Sequence, residues 1–87
     1  MTESRTTGRF WDAFADLPDE VKQEAKAACR LFRNNPAHSS LRFKKLEGED
    51  HIYSVRIGVG YRALGAMKGN RMVWFWIGSH ADYDRKV

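Results

Sequence analysis

The sequence predicts an α+β fold in which an N-terminal αα-hairpin packs on an antiparallel sheet of three or four strands. Two observations carry this expectation. Apolar residues recur at helical spacing as far as Phe32 and near-alternate from Leu41 onward, so helices precede strands instead of interleaving with them. The segments after Leu41 are joined by connections too short for a parallel crossover, which needs about a dozen residues. A chain of 87 residues also has room for only one hydrophobic core, since at this size about 60–65% of the unfolded surface is buried. A single domain over residues 1–87 is expected.

Phe10, Phe14 and Leu17 follow the i, i+4, i+7 spacing of one helical face, with Trp11 beside them. This places a first helix from about Arg5 to Asp16. Pro18 interrupts it and suits a helix start, where its missing N–H costs nothing, and Asp19 and Glu20 favour the positive end of the helix dipole. Val21, Ala25, Ala28 and Phe32 form the apolar stripe of the second helix, which Asn34, Asn35 and Pro36 end. All seven apolar positions of the two helices should face the sheet. The strand candidates are Leu41 to Leu46, Ile52 to Ile57, Tyr61 to Met67 and Met72 to Ile77, rich in β-branched and aromatic residues. Turn residues separate them at Gly48 to Asp50, Gly58 to Gly60 and Lys68 to Asn70. The last strand is apolar on both faces, which suits an interior position. Trp74 and Trp76 are read as core under the helices, with a platform for stacked bases as the alternative.

The formal charge is +4, and it is not spread evenly. Six basic and six acidic residues cancel over residues 1–34, so the whole excess lies beyond Asn34. Such a one-sided field attracts polyanions. No apolar run approaches the ~20 residues that cross a bilayer, and the polar stretch Met1 to Arg9 lacks the apolar core of a signal peptide. A cytoplasmic protein with no membrane partner is expected. Cys29 has no second cysteine with which to form a disulfide or metal site, and is read as a small apolar helix residue.

The stretch Tyr53 to Arg62 is the most informative. If Gly58, Val59 and Gly60 form a three-residue hairpin loop, then Ile57 faces Tyr61 and Arg56 faces Arg62. Like charges directly opposite destabilise a sheet, so an anion belongs between them. A loop one residue longer or shorter would send the two arginines to opposite faces. His80 follows the strand end at Gly78, where an imidazole standing in solvent suits proton transfer, and Tyr83 is near enough to join it. A surface histidine with no such role is the alternative. Arg42, Lys44 and Lys45 add positive charge before the first hairpin, as candidate RNA-binding residues. His38 and His51 are read as surface residues without partners. No metal constellation, phosphate-binding glycine loop or Ser-His-Asp spacing is present in the sequence.

The order of two helices, then Leu41-Arg42-Phe43-Lys44-Lys45-Leu46-Glu47-Gly48, Tyr53-Ser54-Val55-Arg56-Ile57, Gly60-Tyr61-Arg62-Ala63-Leu64 and Ile77-Gly78-Ser79-His80 with Tyr83 resembles the RelE/ParE toxin superfamily. The match runs from about His38 to Arg85 and extends over the helices in pattern. The resemblance implies a toxin of a type II toxin–antitoxin system, held inactive by an antitoxin encoded beside it. RelE-branch members cut messenger RNA on the ribosome, whereas ParE-branch members poison DNA gyrase. It also implies that Arg62 and Arg56 belong to the RNase site, and that His80 and Tyr83 lie near its C-terminal catalytic group. Two positions depart from the pattern: Ser54 stands where RelE carries one of its paired lysines, and Ser39 where YoeB-like relatives place a catalytic glutamate. The leading expectation is a metal-independent mRNA endoribonuclease that needs no cofactor. The alternatives are a non-catalytic gyrase inhibitor and a degenerate toxin that only binds its antitoxin.

Overall fold

Thr7 decides where the first helix begins. Its side chain accepts a hydrogen bond from the Phe10 amide at 3.2 Å, capping helix α1 (Gly8–Ala15). Residues before the cap cannot be helical, and they run extended as strand β1 (Glu3–Thr6). Arg5 is thus a strand residue, and the expected helix start at Arg5 is corrected to Gly8. The computed structural model describes residues 3–48 and 51–86. Glu49 and Asp50, part of the turn expected after Gly48, lie outside them.

Helix α2 (Asp19–Asn34) opens after Pro18 with Asp19 and Glu20 in its first turn, and it closes where the Asn35 amide bonds Leu31 at 2.7 Å. A 3-10 turn, Ser39–Leu41, follows, with the His38 ring nitrogen Nδ1 accepting from the Ser40 amide at 3.2 Å. His38 is exposed as expected but is not without a partner. Arg42 then adopts a left-handed conformation, φ 46°, which bends the chain. Strand β2 is in consequence only Lys44–Lys45, shorter than the segment expected from Leu41 to Leu46. Strands β3 (Ile52–Ile57), β4 (Tyr61–Lys68) and β5 (Arg71–Ser79) follow, and helix α3 (His80–Lys86) ends the described chain.

The sheet has five strands in the order β1-β5-β4-β3-β2. Strands β2 to β5 form the expected antiparallel meander, while β1 adds a fifth strand parallel to β5, with Ser4 opposite Met72 and Thr6 opposite Trp74. The sheet is therefore mixed. The apolar β5 is interior, as its two-faced pattern predicts. Gly65 sits at a register shift between β4 and β5, where a Cβ would come within 2.7 Å of both Met72 Sδ and Trp74 Cε3. Only glycine lets these two core side chains cross there.

Helix α1 packs against β5 and α2 against β3. Leu17, Val21, Ala25 and Phe32 are buried against Val55, Ile57, Ala63, Met72, Trp74 and Ile77, and Phe10, Phe14 and Ala28 pack partly buried at the edge. The seven helix positions read from the sequence do face the sheet. Trp74 is core, its ring 5.3 Å from that of Phe32. Cys29 is on a helix, α2, as read, and it is exposed. Because Phe32 is 2% exposed, Phe32→Ala should lower unfolding free energy by about 3–5 kcal/mol in urea denaturation. Val59→Ala, at a position 90% exposed, should change it by less than about 0.5 kcal/mol.

Candidate functional site

The reversal between β3 and β4 is built on Gly58, φ +58°, where a Cβ would also collide with the Glu24 carboxylate of α2. The three-residue loop sets Ile57 opposite Tyr61 and Arg56 opposite Arg62. The two arginines are cross-strand partners on one face, as the loop length predicts. Arg56 is braced locally, its Nε donating to the Gly58 carbonyl at 2.8 Å.

Arg62 is held from the other side by α3. This helix starts directly at the end of β5, where Ser79 Oγ accepts from the Asp82 amide at 3.2 Å and the His80 amide donates to the Gly60 carbonyl at 2.8 Å. The Tyr83 ring is buried, 6% exposed, and the Arg62 guanidinium carbon lies 5.2 Å from its centroid. Such a cation–π contact fixes a guanidinium without neutralising it. Arg62 Nε also donates to His80 Nδ1 at 3.4 Å, and the His80 and Tyr83 rings stack at 5.9 Å. Arg62 Nη1 is covered and has no hydrogen-bond partner among the described residues. A buried donor left unpaired costs about 1–3 kcal/mol, so this arginine gains by meeting an anion.

Arg42, Arg56, Arg62 and His80, with Val59 and Tyr61, line an open cleft of about 240 Å³. Among the described residues no acidic side chain lines it. The left-handed bend at Arg42 brings that residue to the cleft and separates it from Lys44 and Lys45. Those two lie exposed on the edge strand β2, opposite Ser54 and Tyr53, outside the cleft lining. Tyr83 lies behind the cleft and supports Arg62 and His80 from below. Sequence reasoning missed Asp84, whose Oδ2 is 3.7 Å from His80 Nε2. The i, i+4 spacing of the two residues could have found it, had the short polar C-terminus been read as helix. Arrays of guanidinium donors around an open, acid-free cleft suit a phosphodiester.

A family model, the ParE-like toxin domain, matches residues 19–85. The chain belongs to this family. Among curated proteins no relative matches. This ParE-like domain superposes on a chain of the RelB-RelE antitoxin-toxin complex from Methanococcus jannaschii with a TM-score of 0.77 at 18% identity, covering 93% of this chain and 96% of that one. YafQ from E. coli strain BL21(DE3) gives a TM-score of 0.75 at 12% identity, covering 95% and 98%. A chain of the intact E. coli RelBE toxin-antitoxin complex gives 0.69 at 16%, covering 91% and 96%. At these identities the likeness is one of fold.

The cleft of this ParE-like domain predicts a salt-sensitive affinity for single-stranded oligonucleotides, measurable with an uncleavable 2′-deoxy strand. Arg56→Ala and Arg62→Ala should each weaken binding and reduce the slope of log K against log salt by about one charge. Arg30→Ala, on α2 away from the cleft, should leave the slope unchanged.

Proposed function

We propose that this ParE-like toxin is a metal-independent endoribonuclease acting on messenger RNA, with the ribosome as the setting in which the message is presented. The observation that carries this reading is the cross-strand pair Arg56 and Arg62 with His80 Nδ1 3.4 Å from Arg62 Nε. The RNA 2′-hydroxyl attacks the adjacent phosphorus in line, and the 5′-oxygen departs, leaving a cyclic phosphate. Arg56 and Arg62 stabilise the dianionic phosphorane, a role worth about 3–4 kcal/mol for one well-aimed donor. His80 takes the proton of the attacking 2′-hydroxyl, and Tyr83 keeps His80 and Arg62 in register. Arg42, at the rim, holds a flanking phosphate. Lys44 and Lys45 lie along the outer edge and draw in the strand by charge alone. Substrate and site both imply a cytoplasmic protein.

The solved neighbours include toxins crystallised with their antitoxins. We propose a cognate antitoxin for this chain too, with an acidic or amphipathic segment that covers the cleft and neutralises its arginines. One observation favours a second reading. Ser54, at the position where the resemblance to RelE implies a lysine, is fully buried, its hydroxyl without a partner among the described residues, so that strand offers the cleft one cation fewer. A gyrase inhibitor, as in the ParE branch, would tolerate that loss. DNA breaks trapped on gyrase with RNA left intact would select the second reading.

Arg62 and Lys68 separate site chemistry from general charge, since both are basic residues of β4 but Lys68 is exposed at its far end. Arg62→Ala should slow RNA cleavage by about a hundredfold or more while the fold survives by circular dichroism. Lys68→Ala should change it only a few-fold, mainly at low salt. An RNA carrying a 2′-deoxy sugar at the scissile position should not be cut.

A further inference from the structure

The ribonuclease reading leaves open which ring nitrogen of His80 meets the substrate and what holds the other. We infer that Asp84 is a positioning residue that engages Nε2 of His80 and so leaves Nδ1 to take the proton from the attacking 2′-hydroxyl. The inference rests on the proposed reaction for its chemistry, but its geometry stands apart from it.

Three contacts orient the imidazole. A guanidinium has only donors, so the bond from Arg62 Nε at 3.4 Å requires a lone pair on Nδ1. The ring proton is then on Nε2, and Nε2 faces Asp84 Oδ2 at 3.7 Å, one helical turn along α3. The Tyr83 ring, stacked at 5.9 Å and 23°, sets the plane. The charged groups around His80 are Arg62 on β4, Asp84 on its own helix, and Arg56 and Arg42 across the cleft. Asp82, the other acid of that helix turn, is engaged by Arg85. Asp84 is thus the acid placed to favour the Nε2–H tautomer and the imidazolium that forms when Nδ1 gains a proton.

The resting bond between Arg62 and Nδ1 also defines an order of events. A phosphate in the cleft draws Arg62, whose Nη1 has no partner among the described residues, and the same movement uncovers the Nδ1 lone pair. Nδ1 takes the 2′-hydroxyl proton as the O2′–P bond forms. The P–O5′ bond breaks with its electron pair on the 5′-oxygen, which takes a proton from water, and the imidazolium then gives its proton to the hydroxide so formed. No oxidant, reductant or net proton is needed. The long Nε2 to Asp84 separation suits a free enzyme, where such bonds tighten only with substrate bound.

His80 and Asp84 are exposed, 55% and 63% at their side chains, so the pair adds little to stability. Asp84→Asn should fold like the parent. The test is nitrogen–proton correlation NMR of the histidine rings in the whole chain, with the His80 signals assigned by their loss in His80→Gln. The parent should show His80 as the Nε2–H tautomer at alkaline pH, and Asp84→Asn a mixture of the two. With RNA as substrate, Asp84→Asn should lower kcat by about ten- to a hundredfold, as for lost supporting hydrogen bonds, leave KM unchanged, and Asp84→Glu should restore part of the rate. A parent His80 protonated at Nδ1, or a tautomer indifferent to Asp84→Asn, would overturn the inference. If the tautomer behaves as expected and RNA is never cut, the ribonuclease reading falls while the placement of His80 by Asp84 stands.

Discussion

The register of one hairpin is the constraint on which the cleft depends. Because the chain reverses in three residues after Ile57, Arg56 and Arg62 stand opposite each other on one face, where two guanidinium groups repel by several tenths of a kcal/mol. A slip of one residue would relieve the repulsion and abolish the site. The register is held against this by burial on the other face, where Val55, Ile57 and Ala63 are nearly inaccessible, and by Gly58, whose φ of +58° is a turn conformation that favours glycine. The core thus stabilises an electrostatic conflict at the surface that an anion can resolve.

The rest of the fold supplies rigidity to that pair. Helices α1 and α2 cover the apolar face and have no residue lining the cleft. Helix α3, only seven residues long, does more than its length suggests. Its first residue, His80, meets Arg62, its buried Tyr83 lies under the same guanidinium, and Asp84 stands at the far edge of the imidazole. Arg56, braced on the Gly58 carbonyl, is a donor fixed before substrate arrives, and such preorganisation is where most electrostatic catalysis originates.

The parts of this arrangement visible in the sequence were those with a period or a forced geometry. The helix faces through Phe10, Phe14, Leu17, Val21, Ala25, Ala28 and Phe32 were legible from spacing, and the Arg56–Arg62 pair from the length of the Gly-Val-Gly loop. What was not legible depended on contacts remote in sequence. Ser4 to Thr6 is extended because β5, some seventy residues on, offers it a parallel edge, and the helix starts only after the Thr7 cap. Helix α3 has one buried side chain, Tyr83, among its described residues, so it carries no apolar stripe to read. Arg42 enters the cleft through a left-handed backbone at a non-glycine residue, which no local pattern announces. For the same reason Lys44 and Lys45, its near neighbours in sequence, are not its neighbours at the site.

The central claim is that a phosphodiester sits between Arg56 and Arg62 and displaces Arg62 from His80. NMR titration with an uncleavable 2′-deoxy dinucleotide, following the guanidinium Nε–H signals and the ring nitrogens of His80, tests it most directly. The account predicts that the Arg56 and Arg62 signals and His80 Nδ1 shift together with one saturation curve, while the indole N–H of Trp11, on α1 and outside the cleft lining, does not respond. Saturable shifts elsewhere, with both arginines and His80 unmoved, would contradict it.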